Sequence, residues 1–434
     1  MRGSPISSEG WGCRVETLHG TTVMVRLSRA MRSRRSPLFK KAGAVVTMAL
    51  AAVLVTVITP GSLAGSATTT TSLPTPSTTS TTAAGAVTPS NLTCAIQYVS
   101  GWPLAELANQ TIVVPVNAAN LGAMVPAAQA GYGGLLLFGP DAPLSMAATI
   151  AKVQARTLDK YPMLIMTDEE GGGVQRLTNV IGSIPWAQTM GRNLNASQIE
   201  GEGFRIGTSL LSAGVNVDLA PVLDVDGRNI EPGASDPDGL RSFSGSASVA
   251  AADGTAFMSG LTKANVTSVL KHFPGLGGSS RNTDYGPAAT KPWSVLQRTG
   301  LVPFEDAIAR GAPAVMLSNA SVPGLTSLPA SLSPVVVEEL RLHLDFTGLI
   351  VTDSLSAGAI SALHLAVPAA VVKALQAGAN MVLFGSPSSP ASSLALARSV
   401  ANALVNAVEG GTLTRTELES DAGQVLATRN SFSC

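Results

Sequence analysis

The chain has 434 residues, 45% hydrophobic and 13% charged, which is ample material for a large buried core and excludes a globally disordered protein. Lys plus Arg and Asp plus Glu both total 28, so no overall electrostatic pull toward nucleic acid or an anionic membrane is expected. Specificity must therefore come from local groups.

In chain order, the first feature is a basic stretch. Arg29, Arg32, Arg34, Arg35, Lys40 and Lys41 precede an apolar run from Ala42 to Ile58 that ends at Pro60-Gly61. A positive region followed by a short apolar core is the pattern of an export signal, and the run is at the short end for a bilayer span. Small residues at 63–67 suit a cleavage site, so residues 1–65 read as a basic n-region with a signal peptide, or as an anchor and membrane tether if uncleaved. Ser66 stands where a lipoprotein would carry its lipidated cysteine, which argues against lipidation. Residues 66–91 are almost entirely Ser, Thr, Pro, Ala and Gly, too featureless to build a core, and read as a disordered linker. The folded domain is expected over 92–434, in an exported protein that is secreted or held at the cell envelope.

From there, short apolar runs alternate with helical patterns, the signature of a parallel sheet with crossover helices. Strands are expected at Thr111 to Asn117, Gly134 to Phe138, Met163 to Thr167, Val215 to Leu219, Ser268 to His272, Ala314 to Ser318, Leu349 to Thr352 and Met381 to Phe384. Helices are expected between them, among others at Met146 to Leu158, Ile199 to Ser212, Val249 to Ala264, Leu301 to Arg310 and Pro334 to Leu342. The fold class is therefore α/β, a single (β/α)8 TIM-type barrel. A doubly wound open sheet is the structural rival, but the first βα connection lacks a Gly-x-Gly-x-x-Gly fingerprint. Cys13 precedes the export signal, which leaves Cys94 and Cys434 at the two ends of the folded body. Barrel termini lie close together and an exported protein is oxidised, so a Cys94–Cys434 disulfide is expected.

In such a barrel the reactive groups sit at the C-terminal ends of the strands. There the polar residues cluster: Asp168-Glu169-Glu170-Gly171-Gly172 after the third run, Asp218 and Asp224 on the fourth, Lys271-His272 on the fifth, Asn319 after the sixth and Asp353 after the seventh. Each alone has a structural explanation. Asp353 followed by Ser354 suits a helix cap, Lys271-His272 an ion pair, and Asp218 or Asp224 a turn. Their joint placement at one mouth points instead to a shared site. No His-Glu-x-x-His or Cys-x-x-Cys spacing suggests a metal, and neither a Gly-x-Ser-x-Gly elbow nor a Walker loop is present. Carboxylate chemistry remains, and glycoside cleavage is a common use of it in a barrel.

Three ordered blocks resemble the signatures of glycoside hydrolase family 3, close to its β-N-acetylglucosaminidase branch. They are Ile165 to Arg176, Lys271-His272-Phe273-Pro274-Gly275 and Val351-Thr352-Asp353-Ser354-Leu355, with Arg241-Ser242-Phe243 as a further element. The resemblance implies a retaining mechanism with Asp353 as nucleophile, and Asp168, Arg241, Lys271 and His272 gripping sugar hydroxyls. It implies no cofactor, a carbohydrate partner such as an N-acetylglucosamine-containing glycan of peptidoglycan type, and a monomer.

One loop departs from the family pattern. The branch places an Asp-x-His dyad after the fifth-strand motif, with the His as acid/base, whereas here Asn282 and Asp284 occupy those positions and Leu276 replaces a frequent His. Asp284 is the preferred acid/base, carried on a flexible, Gly-rich loop able to close over substrate. The leading function is an exo-acting β-N-acetylhexosaminidase. The alternatives are another β-glycosidase or a phosphorylase of the same family, and a sugar-binding envelope protein that has lost catalysis.

Overall fold

Runs such as Val113–Asn117 (VVPVN) and Leu349–Thr352 (LIVT) are short, rich in β-branched and aliphatic side chains, and almost wholly buried, as strands covered on both faces must be. The computed structural model describes residues 87–434 except 141, 159, 386, 387 and 434. The export-signal segment, most of the linker and Cys434 lie outside the described residues. The first described helix, Pro89–Val99, starts within the stretch read as linker, with Thr88 as its cap and Pro89 in its first turn.

The strands in chain order are β1 (Val113–Asn117), β2 (Gly134–Phe138), β3 (Leu164–Thr167), β4 (Glu169–Gly171), β5 (Val174–Gln175), β6 (Val217–Asp218), β7 (Thr267–Phe273), β8 (Ala314–Leu317) and β9 (Leu349–Thr352). β4 and β5 form a small antiparallel hairpin, and the other seven make one parallel sheet in the order β1-β2-β3-β6-β7-β8-β9. The order follows the chain, so each connection is a crossover, usually helical. The sheet curls. Met381 bridges Val351 and Val382 bridges Ile112, linking β9 to the start of β1.

Two expected strands are cut to two paired residues, and at both an asparagine side chain has taken over backbone pairing. Beside β6, the Ile165 N–H donates to Asn216 Oδ1 at 2.7 Å, so pairing over the expected Val215 to Leu219 is confined to Val217–Asp218. In the last run, the Ile350 N–H donates to Asn380 Oδ1 at 3.0 Å, and Thr352 Oγ1 accepts from the Leu383 N–H at 3.1 Å. The run expected over Met381 to Phe384 is thus reduced to two bridging residues.

Strand side chains alternate between two cores, as period-two geometry requires. Leu136, Met166, Leu219, Val269, Met316, Val351 and Met381 form an inner cluster within the curl. Val114, Leu135, Ile165, Leu270, Val315 and Ile350 face outward and pack against the helices in the larger cluster. The helices include Met146–Gln154, Ala196–Ser212, Ala247–Lys263, Leu301–Ala309 and Pro334–Glu338, the last continuing as a π-helical turn over Glu339–His343. Ala196–Ser212 starts earlier than its apolar period suggests because Asn195 and Gln198 form a reciprocal capping box. The last helix, Arg415–Ala427, contributes Val425 to the inner cluster. Cys94 is disulfide-bonded.

Candidate active site

Asp168 follows β3 directly, and the chain then turns through the β4–β5 hairpin. Glu169 is buried and holds that hairpin together. Its carboxylate accepts from the N–H groups of Arg176 at 2.8 Å and Leu177 at 2.7 Å and from Gln175 Nε2 at 3.1 Å, while its own N–H donates to Asp218 Oδ1 at 3.0 Å. Burial nevertheless raises its pKa to about 7. The two residues after Glu170 must be glycine. Gly171 and Gly172 have φ of 104° and 57°, and a Cβ on Gly172 would lie 1.9 Å from the Trp186 indole. This turn presents Asp168 and Glu170 to the mouth of the sheet.

Glu170 accepts a two-pronged interaction from Arg241, at 2.7 Å from Nε and 2.8 Å from Nη2, and lies 2.6 Å from Lys271 Nζ. Lys271 also donates to Asp168 at 2.7 Å, and Arg176 stands 3.7 Å from Asp168. Burial alone would raise Glu170, but Arg241 and Lys271 outweigh it and hold the carboxylate well below its ordinary range. Burial likewise opposes the charge on Lys271, and Asp168 and Glu170 reverse the balance, so the ammonium is held above its ordinary value. The result is a neutralised quartet of two acids and two cations at the base of the site.

His272 completes this wall. Its Nδ1 is 2.7 Å from Asp224 Oδ2, and its Nε2 lies 3.5 Å from Arg241 Nη2. Burial, then the Arg241 charge, lower its pKa to about 4, so the ring is neutral near pH 7. With Asp224 as acceptor we assign the proton to Nδ1, which leaves Nε2 an acceptor toward the cavity side.

Asp353 follows β9, and its Oδ1 accepts from the Ser354 N–H at 2.6 Å. Burial raises its pKa; the nearby His272 and Lys271 pull it down and the Asp284 charge pushes it up. Asp284 sits on the loop after β7, which is docked rather than free. Gly358 N donates to Asp284 O at 3.0 Å, Ala359 N to Thr283 O at 2.9 Å, and Asn282 N to Ala234 O at 2.9 Å. A Cβ on Gly358 would fall 2.7 Å from Asp284 O, so this contact needs glycine.

Asp168, Arg241, Lys271, His272, Asp284 and Asp353 all line one cavity of about 420 Å³, whose walls include Phe138, Tyr285, Met316 and Phe384. Sequence reasoning brought these six together, but gave no role to Glu170 or Arg176 and offered only a turn for Asp224. The signal for Glu170 was its place two residues after Asp168 in the same block. Beside this wall, Asp224, Asp238 and His272, and separately Asp226, Asp236 and Asp238, bring ligand atoms within 4.8 Å of one another. No cysteine or histidine spacing announces either group.

The model of the glycosyl hydrolase family 3 N-terminal domain matches residues 113–428. The chain is 33% identical over 290 residues to the β-hexosaminidase LpqI of Mycobacterium tuberculosis, covering 65% of this chain and 73% of that protein. It is also similar to a family 3 glycosyl hydrolase structure from Mycobacterium smegmatis, with a TM-score of 0.68 and 33% identity, covering 76% of this chain and 98% of the other. A family 3 β-N-acetylglucosaminidase from Paenibacillus superposes with a TM-score of 0.69 at 29% identity, over 76% of this chain and 63% of that one.

Proposed function

The chain belongs to glycosyl hydrolase family 3, alongside its β-hexosaminidases, and is a glycoside hydrolase; from that premise we propose a retaining, exo-acting β-N-acetylhexosaminidase that removes terminal N-acetylglucosamine from cell-wall-type glycans. The observation that carries the reading is the pairing of Asp353 and Asp284 on one cavity whose floor is the Asp168–Lys271–Glu170–Arg241 quartet. In the proposed reaction, the Asp353 carboxylate attacks the anomeric carbon while the Asp284 carboxyl gives its proton to the departing oxygen. A glycosyl ester on Asp353 results. Asp284, now a carboxylate, takes a proton from water as that water attacks the same carbon, and Asp353 leaves with its charge restored.

Each remaining residue has a task in this scheme. Lys271, Arg241 and Asp168 offer charged donors and acceptors to adjacent sugar hydroxyls, and contacts that tighten as the ring flattens aid the rate as well as binding. The neutral His272 offers Nε2 to another hydroxyl. The reading includes a (β/α)8 barrel, no cofactor and a monomeric enzyme. Export rests on the 1–65 pattern, and a similar chain from Arthroderma benhamiae, 30% identical over 312 residues, is described as a secreted glycosyl hydrolase. Among the described residues no helix is long and apolar enough to cross a membrane.

The test assays the full chain on 4-nitrophenyl N-acetyl-β-glucosaminide and on the corresponding glucoside, with and without phosphate. Turnover of the first without phosphate, abolished by Asp353→Asn, is the expected result. Faster turnover of the glucoside would replace the specificity, a phosphate requirement would make the enzyme a phosphorylase, and binding without turnover would leave a sugar-binding protein. Asp284→Asn is expected to slow a substrate with a poor leaving group by about 10²- to 10⁴-fold. Unchanged hydrolysis of that substrate would remove Asp284 from the acid role.

A further inference from the structure

Two Asp-x-Asp pairs, Asp224-Val-Asp226 and Asp236-Pro-Asp238, bracket the excursion between β6 and Arg241. The four carboxylates do not have equal partners. Asp224 is taken by the His272 ring and by the backbone N–H groups of His272 and Leu276. Asp226 and Asp236 share Arg228, whose Nη2 is 2.8 Å from Asp226 Oδ2 and whose Nε is 2.8 Å from Asp236 Oδ2. Asp238 is fully buried, and neither of its carboxylate oxygens has a hydrogen-bond partner. Arg241 is near, but the hydrogen bonds it makes go elsewhere, from Nε and Nη2 to Glu170 and from Nη1 to Pro237 O.

The charges do not balance either. Asp226, Asp236 and Asp238 are 5%, 2% and 0% exposed, and Arg228 supplies one positive charge against their three negative ones. Ionised together, the three would leave two negative charges in a buried space, where uncompensated carboxylates are costly, and burial accordingly raises the pKa of Asp236 and, more strongly, of Asp238. Carboxylate oxygens of these three residues lie within 4.8 Å of one another.

We propose that Asp226, Asp236 and Asp238 form a binding site for one divalent cation of the hard, oxygen-seeking class, such as Ca²⁺, Mg²⁺ or Mn²⁺. The three side chains offer only carboxylate oxygens, which suit such ions and not the thiolate- or imidazole-seeking metals. One divalent ion cancels the two uncompensated charges and supplies the partner that Asp238 lacks. Arg228, with 43% of its side chain exposed, has room to swing outward if the ion needs its place. The site adjoins the glycoside-cleaving residues through Asp238, whose carboxylate also lies within 4.8 Å of the ligand atoms of Asp224 and His272, and it is tied to them through the backbone as well. Pro237 O accepts from Arg241 at 2.7 Å, and Ala234 O accepts from Asn282 in the Asp284 loop. A bound ion therefore stiffens the excursion that braces both.

The test uses the full chain stripped with chelator and titrated separately with Ca²⁺, Mg²⁺ and Mn²⁺ by calorimetry and thermal unfolding. One ion per chain for at least one of the three metals, with Tm rising with its concentration, is expected. Asp238→Asn should weaken that binding at least a hundredfold, and Asp236→Asn, the variant to use if the first does not fold, should do the same. No stoichiometric binding of any of the three ions would show that protons shared between the carboxylates carry the balance instead, and would overturn the proposal. Wild-type affinity in either folded variant would overturn it as well.

Discussion

Replacing Glu170 by Gln keeps the shape of the side chain and removes its charge. In the native site that carboxylate accepts two donors of Arg241, at 2.7 and 2.8 Å, and stands 2.6 Å from Lys271 Nζ. The Gln carbonyl can serve one of these cations, and its NH₂ group must face the other. Three charge-assisted bonds at about 1.5–3 kcal/mol each would overstate the loss, because the contributions are not additive. Breaking one member of a buried ion cluster costs about 3–5 kcal/mol, and that figure is the better guide. With an unfolding entropy near 2.1 cal/mol/K per residue over about 350 residues, the loss corresponds to a Tm lower by roughly 4–7 °C. Arg241 and Lys271 would also lose their common anchor, so kcat/KM on 4-nitrophenyl N-acetyl-β-glucosaminide should fall about 10²-fold, the order expected for displaced positioning groups. Differential scanning calorimetry and steady-state kinetics on the same preparation read both numbers. A variant with wild-type Tm and wild-type kcat/KM would refute the view that Glu170 holds the two cations in place.

Other perturbations probe separate parts of the molecule. Gly358→Ala pushes a Cβ toward Asp284 O, 2.7 Å away, and should undock the Asp284 loop, lowering kcat while costing only about 1–3 kcal/mol of stability; an unaffected kcat would mean that the docked position is not the working one. Asp421, buried beside Asn380 and accepting from its Nδ2 at 2.9 Å, has its pKa raised by burial to about 7. Its unfolded counterpart ionises near 4, so its contribution to stability is fully present below that pH and is lost as pH rises through about 7. Asp421→Asn should therefore match the wild type near pH 4 and exceed it by up to roughly 4 kcal/mol at pH 8 in urea unfolding, and equal stability at pH 8 would contradict this. His272 works in the opposite sense. Held down to about 4 by burial and Arg241, it contributes stability above its unfolded value near 6.5 that is lost as pH falls toward 4, so His272→Gln should flatten the acid limb of the stability profile. Finally, azide added to Asp353→Gly, which vacates the carboxylate's place, should restore turnover and yield a glycosyl azide of inverted configuration; rescue without that product would argue against Asp353 as the nucleophile.

Much of the architecture was legible in the apolar runs because strand formation here depends on local composition. β2, β8 and β9 lie within a residue of where their aliphatic stretches place them. The co-location of Asp168, Lys271, His272 and Asp353 was also readable, since residues at the ends of successive parallel strands emerge at one end of the sheet, whereas Arg241 and Asp284 lie on the loops after β6 and β7 and joined the set only through the family resemblance. The shortened runs around Val217 and Met381 were not readable. An asparagine next to a strand looks like any polar residue until its side chain is seen taking a backbone N–H from the neighbouring strand.

The amino-acid order by itself determined the fold class, the order of the strands around the sheet and the end at which the reactive groups gather. Those properties follow from period, polarity and chain connectivity, which are local or topological. Tertiary structure alone decided which charges meet. Glu170 and Arg241 are 71 positions apart, yet they form the site's two-pronged ion pair. Asp238 looks like one more loop aspartate and is the fully buried carboxylate left without a hydrogen-bond partner. Pairing and desolvation depend on distances of a few ångströms between remote segments, and no linear pattern encodes those distances.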